Sequence, residues 1–326
     1  MSGGSDIIDV AIIGGGFSGL MVLHHLAAAS GSGSCFAVIE PEENPGYGVA
    51  YRTANPAHLL NVPAGKMSAF PDQPDHFINW LVSENGQERA WHAGDYAPRC
   101  LYARYLTGIA QKTFLEAEAK GVRLQHLRHK AADVERSSSD GLYTVVLDNG
   151  KIVRSRALVL ATGNLSAADD DKIPGFIADP WRHDHAAQTH EEGAVGIIGT
   201  GLTTIDTILS LRSAGFAGEI LAVSRRGLLP EVHNDAPAIY NAALSLPAHA
   251  PEKLAPLMRA LRHEAKGCLS NLISCQRVFD RWRPHVAVIW GKLGTKDRNR
   301  FFARLFTLWN VHRHRMAPEI GALIAQ

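Results

Sequence analysis

Two stretches of the chain share one pattern of apolar and polar positions. Val10 to Ile13 is a short β-prone run, followed by glycines and then by Leu20, Leu23 and Leu26 at helical spacing. Val195 to Ile198 is again a strand-like run, followed by Gly199 and Gly201 and an amphipathic stretch to Gly215. Each predicts strand, tight turn and helix. A second strand follows each helix, Phe36 to Glu40 in the first case and Ile220 to Ser224 in the second. The spacing also matches: Gly14 precedes Glu40 by 26 residues, and Gly199 precedes Arg225 by 26.

Between these stretches the pattern changes three times. Residues 41 to 68 show no clear periodicity and carry "NPGYGVAY" and "HLLNVPAGKMS", the mark of a long functional loop. Residues 72 to 120 read as helices, among them "DHFINWLVSENG", capped by Asp75 and closed near Gly86, and a second helix ending at Gly121. From Val122 to Gly163 the alternation is that of strands: a hairpin turning at Asn149–Gly150, then a separate buried strand, Ala157 to Ala161, that ends in Thr162–Gly163. Beyond Pro230 the pattern is mainly helical, with Trp282, Trp290 and Trp309 as anchors. The fold class expected is α/β: two Rossmann-like dinucleotide-binding units of the three-layer ββα/βα type with a helical C-terminal segment. The expected boundary lies at 185/186. Residues 1–185 would form an FAD-binding domain with helical and β-meander insertions, and 186–326 an NAD(P)-binding domain.

The glycines have a chemical reason. In G-x-G-x-x-G, Gly14 permits the tight turn, Gly16 lets a pyrophosphate approach the backbone, and Gly19 lets the helix lie close to the sheet. Free N–H groups and the helix dipole then hold the phosphates. Glu40 stands where a carboxylate accepts hydrogen bonds from a ribose diol. The second motif has Thr204 in the third position and Arg225–Arg226 in place of the acid. A guanidinium pair suits a ribose 2′-phosphate, which an acid would repel. The alternatives are a purely structural turn in the first case and ordinary surface cations in the second.

Composition changes this picture little. The 326 residues carry a net charge of +1, which calls for no nucleic acid. Between Arg259 and Arg315, however, thirteen Lys or Arg face three acids (Glu264, Asp280, Asp297). That excess is either a solvated helical face or an electrostatic funnel for anions. The four cysteines (Cys35, Cys100, Cys268, Cys275) include no C-x-x-C, which argues against a redox dithiol. His312 and His314, two apart, face apart on a helix, so no metal site is expected there. Acids near the start and the glycine-interrupted first apolar run argue against a secretory signal or membrane span, so a cytoplasmic protein is the expectation.

"AIIGGGFSGL" at 11–20, the block "GYGVAYRTANPAHLLNVPAGKMSAFPDQPDHFINWL" at 46–81, "VLATGN" at 159–164, "IIGTGLTTID" at 197–206, "SRRGLLP" at 224–230 and "WNVHRHRMAP" at 309–318 resemble a family of flavoproteins with two dinucleotide folds. Its relatives include an FAD-dependent urate hydroxylase and a nitrosuccinate-forming aspartate N-oxygenase. The resemblance runs over nearly the whole chain. It implies that Gly14, Gly15, Gly16, Phe17, Ser18 and Gly19 hold the FAD pyrophosphate and Glu40 its ribose. Asn61 and Met67 would line the flavin, or serve only as turn former and core filler, and Thr162–Gly163 would close over it. Gly199, Thr200, Gly201, Thr203, Arg225 and Arg226 would bind NADPH.

The implied activity is monooxygenation of a small, possibly anionic molecule with molecular oxygen, the cofactor carrying the hard chemistry. The catalytic residues and the oligomeric state stay open. A flavin reductase, an NADPH oxidase without oxygenation, and a non-catalytic or decayed dinucleotide binder are the alternatives. Family members continue past "HRHRMAP" with a strand, turn and helix, a segment this chain is expected to lack.

Overall fold

The structure is a computed structural model that describes residues 7–86, 89–164, 173–181, 193–234, 253–270 and 274–325. The chain divides into two compact units, Met1–His185 and Ala186–Gln326.

The first unit is built on β1 (Ile8–Ile13), α1 (Phe17–Ala29), β2 (Cys35–Ile39), α2 (His76–Asn85), α3 (Arg99–Ala119), β3 (Arg123–Leu127), β4 (Ala131–Arg136), β5 (Tyr143–Leu147) and β6 (Ile152–Leu160). Its six-stranded sheet runs in the order β3-β2-β1-β6-β5-β4. The first four strands pair in parallel and the last two antiparallel. Every residue of β2 is buried, as a strand covered on both faces requires. Phe36 and Val38 pack with Leu23 and Ala27 of α1 and Ala117 of α3. Cys35, Ala37 and Ile39 pack instead with Val145, Leu147 and Val153. Those three belong to β5 and β6, and β5 is no neighbour of β2 in the sheet. The hairpin therefore folds back across the second face, giving helix, sheet and β-meander as three layers.

One expectation needs correction. The hairpin and the strand after it are not separate: β6 is a single nine-residue strand. Ser155 is the joint, paired with Ile8 of β1 on one side and with Tyr143 of β5 on the other. Nor is the end of that strand buried, since Leu160 is 67% exposed. Asp75 does stand before α2, but its side chain makes no capping bond; the Asn79 N–H reaches the Asp75 carbonyl instead. Residues 41–68 are loop as expected, apart from one 3-10 turn, Ala64–Lys66.

The second unit contains β7 (Ala194–Ile198), α4 (Leu202–Ser213), β8 (Glu219–Val223), α5 (Leu254–Ser270), α6 (Gln276–Trp282), α7 (Val286–Lys292), α8 (Thr295–Arg304), α9 (Phe306–Arg313) and α10 (Pro318–Ile324). Strands β7 and β8 form a two-stranded parallel sheet. Ile205, Leu209, Leu211 and Phe216 are buried beside it. Ile198, Leu221 and Val223 share one face of this sheet and are exposed, Ile198 to 88%. The helices form a separate apolar cluster around Leu257, Leu261, Trp282 and Ile289. Residues 231–234 tie the two parts together. Val232 bridges Met316, and the Gln276 side chain donates to the Val232 carbonyl and accepts from the Asn234 N–H.

The basic excess of the helical segment is partly internal. Arg315 is only 4% exposed; it pairs with Asp280 and donates to the carbonyls of His312 and Gln276. Arg281 pairs with Glu264 at 2.7 Å. These guanidinium groups hold helices together and do not face a solvent funnel. No described helix is long and apolar enough to cross a membrane.

Candidate functional site

The first glycine turn lies between β1 and α1 and is crowded by the protein itself. Gly14 has φ +99°, a conformation open to glycine at little cost, and a Cβ there would collide with the Ala161 carbonyl. A Cβ on Gly15 would lie 2.7 Å from the Glu40 side chain, and one on Gly19 would strike the Gly14 carbonyl. Gly16 differs. Its Cβ would make only ordinary contact, 3.4 Å from the Cα of Gly48.

Gly48 had not been assigned to the site from sequence. It lies in the loop that carries "PGYG", and the signal was there in two glycines spaced two apart. The Gly46 N–H donates to the Gly15 carbonyl at 2.6 Å, which lays this loop against the turn. Arg52, four residues on from Gly48, pairs with Glu42 at 2.8 Å, and its buried Nε has no hydrogen-bond partner.

Glu40 follows β2 directly. Its carboxylate accepts the Gly15 N–H at 2.6 Å and the Glu42 N–H at 3.2 Å, so the acid braces the turn. Helix α1 begins without a side-chain cap at Gly16. The first N–H groups of a helix have no intrahelical acceptor. Phe17, Ser18 and Gly19 supply them here.

Thr162 and Gly163 are exposed and follow β6, beside the turn: a Cβ on Gly14 would come within 3.3 Å of the Thr162 Cα. Met67 and Phe17, both half-buried, pack with Tyr51 against one aromatic cluster that includes Phe77, Tyr102 and Tyr105. Asn61 is half-buried in the loop before the 3-10 turn. The fold thus gathers Gly14 to Gly19, Glu40 and Thr162 at one end of the parallel strands. It brings Met67 to the same aromatic cluster as Phe17.

Burial raises the pKa of the Tyr102 hydroxyl, with Tyr51 and Tyr105 adding to the effect. The phenol stays protonated throughout the physiological range. His76 is held below its ordinary value by burial and then by Lys112, and its Nδ1 lies 2.8 Å from the Tyr105 hydroxyl.

The second turn is open. Gly199 has φ +114°, but among the described residues a Cβ there would meet only the Thr204 hydroxyl, at 3.8 Å, and one on Gly201 would meet nothing within 4 Å. Helix α4 also starts without a side-chain cap, and Gly201 and Thr203 are exposed. Thr200 links this turn to the arginine loop. Its hydroxyl lies 2.7 Å from the Leu228 carbonyl and 2.8 Å from the Ser224 hydroxyl, which accepts the Gly227 N–H. Arg225 and Arg226, both exposed, stand in that loop. Ser224 and Leu228 were not singled out from sequence: Leu228 acts through its backbone carbonyl, which leaves no mark in residue type, and the Ser224 hydroxyl meets Thr200 only through the fold.

Among solved structures, the chain is similar to a cyclohexanone monooxygenase mutant from Rhodococcus sp. Phi1 bound to NADP+. Identity is 21% over 69% of this chain and 39% of that one, with a TM-score of 0.46. A flavin monooxygenase from Stenotrophomonas maltophilia gives 22% identity over 71% of this chain and 60% of that one, TM-score 0.45. An oxidised steroid monooxygenase bound to NADP gives 24%, 65%, 38% and 0.43 in the same order. This chain covers less than two thirds of the length of each. Residues 11–165, a stretch that takes in most of β1, the Glu40 loop and β6, match a family described as FAD-NAD(P)-binding.

Proposed function

We propose that the chain is an FAD-dependent, NADPH-using oxidoreductase of the monooxygenase type, acting with molecular oxygen on a small molecule. The observation that carries the reading is the pair of uncapped glycine turns followed, at the same offset, by groups of opposite charge. An acid braces the first turn, and two exposed guanidinium groups follow the second.

The residues present fit the two cofactors differently. At the first turn the helix N–H groups would take a pyrophosphate, with Glu40 on the adjoining ribose. Arg52, paired with Glu42 but with a buried Nε that lacks a partner, stands in the loop that lies against that turn. At the second turn, none of the described residues fills the space a Cβ on Gly201 would take, which leaves the backbone open to a pyrophosphate. Arg225 and Arg226 would take a 2′-phosphate, held in place through the Thr200–Ser224–Leu228 link. Bound flavin supplies hydride acceptance from the nicotinamide and the reaction with oxygen. The chain's own residues bind, orient and screen these groups. Thr162 and Gly163, exposed beside the first turn, would close over the flavin.

The test is reconstitution of the purified chain with FAD, followed by NADPH and NADH oxidation with peroxide measured across candidate amines, amino acids and purines. Bound-flavin absorbance, a preference for NADPH, and peroxide that falls as product rises are expected. NADPH consumed wholly to peroxide with every substrate would make the chain an NADPH oxidase. A colourless protein that takes up no FAD would overturn the flavoprotein reading.

A further inference from the structure

The helical segment of the second unit contains a pocket that no cofactor assignment uses. It has a volume of about 230 Å³. Leu257 and Leu261 of α5, Ile289 and Trp290 of α7, Phe301 of α8 and Trp309 of α9 are among its lining residues, and nearly all the lining surface is apolar. The volume suits a ligand of one or two rings and is too small for a partner helix, whose diameter is about 10 Å. An apolar cavity of even about 150 Å³ stays dry and takes up aromatic molecules. A sugar or a nucleotide would leave its polar groups unpaired in such a lining, which disfavours it.

One charged group packs against a residue of this wall. Arg298 holds its guanidinium 5.6 Å from the centre of the Trp290 ring and donates to the Gly291 carbonyl, while its buried Nε has no partner. Lys292 and Lys296, both exposed, lie on the same two helices as Trp290 and Arg298. The nearby acid, Asp297, is already engaged, accepting the Leu254 N–H at 3.1 Å. Apolar walls with a guanidinium against one of their rings complement a molecule with an apolar ring body and one anionic end.

We infer that this pocket is a binding site for a small aromatic carboxylate. The ring system lies among Trp290, Phe301 and Trp309, and the carboxylate stays at the rim by Arg298. The inference stands on the second unit alone and does not depend on either cofactor.

The test is isothermal titration calorimetry of the intact chain, without added cofactor, using 2-naphthoate, with 2-naphthylmethanol and acetate as comparators. Saturable 2-naphthoate binding, at least tenfold tighter than that of the alcohol, is expected, with none for acetate. Arg298→Gln should weaken naphthoate about tenfold and leave the alcohol unchanged. Val286→Phe and Ile289→Trp should each fill the pocket, abolish binding of both ring compounds and keep the circular dichroism of the parent. Absence of naphthoate binding, equal affinity for acid and alcohol, or full binding by both filled variants in folded form would overturn the proposal.

Discussion

The two glycine turns share a sequence pattern and an offset, yet they differ in what makes glycine necessary. In the first, the protein demands it at three positions. Ala161, Glu40 and the Gly14 carbonyl occupy the places that a Cβ on Gly14, Gly15 and Gly19 would take. In the second, among the described residues, the positive φ of Gly199 is the one feature that demands it, and a Cβ on Gly201 would meet no neighbour within 4 Å. The first turn sits in a six-stranded sheet with layers on both faces, the second in a two-stranded sheet with one apolar face exposed. One motif can therefore be required by packing in one place and by a ligand in another. Substitution separates the two causes.

The largest difference should appear at matched glycines. Gly19→Val in the first turn must displace the Gly14 carbonyl and should cost more than about 4 kcal/mol, unfolding the first unit. Gly201→Ala should leave thermal unfolding unchanged and weaken NADPH binding. A melting temperature that falls as far for Gly201→Ala as for Gly19→Val would end the contrast. Gly16 is the exception within the first turn, because a side chain there meets only the Gly48 backbone at contact distance. Gly16→Val should keep the circular dichroism of the parent and lose bound flavin. A folded variant with normal flavin content would move the phosphate site elsewhere.

The charged residues sharpen the comparison next. Joint replacement of Arg225 and Arg226 by Ala should weaken NADPH by about 1.5–3 kcal/mol, the worth of charge-assisted hydrogen bonds, and leave NADH nearly unchanged. Equal losses for both nucleotides would remove the reading of the arginine pair. Thr200→Val cuts the link between turn and arginine loop and should cost about 1 kcal/mol in NADPH affinity, read from the KM, with little change for NADH.

The smallest effect concerns protons. Burial lowers the pKa of His24, and His25 lowers it further; Lys112 and Lys120 act in the same direction, Glu116 against it. The folded form thus binds its proton less readily than the unfolded chain. Stability is full above the ordinary histidine value of 6.5 and declines as pH falls below it. His24→Gln, which can keep the bond to Thr113, should flatten the loss of melting temperature between pH 8 and pH 5.5. An unchanged slope would assign the loss to other groups.

Strand, turn, helix and acid were legible in the first unit because each leaves a mark in residue type: an apolar run, glycines, a helical stripe, a carboxylate. The continuity of β6 was not. Arg154, Ser155 and Arg156 break the apolar pattern and read as a gap between two strands. In the fold, Ser155 is buried where the strand passes from one pairing to the other. Gly48 was quoted within a functional loop, yet its place opposite Gly16 depends on tertiary approach, which spacing along the chain does not encode. The exposed face of the second sheet was equally hidden. Leu221 and Val223 alternate as core residues would, and alternation cannot say whether anything lies above them.

The single strand β6 also acts as a ruler. At about 3.3 Å per residue its nine residues span roughly 30 Å, from the Asn149–Gly150 tip to the Thr162–Gly163 turn. The tip is solvent-exposed and turns on a glycine at φ +79°. A peptide tag or dye grafted there would sit at a known, fixed distance from the proposed flavin site. The hairpin is thus a ready handle for energy-transfer measurements that leave the nucleotide turn untouched.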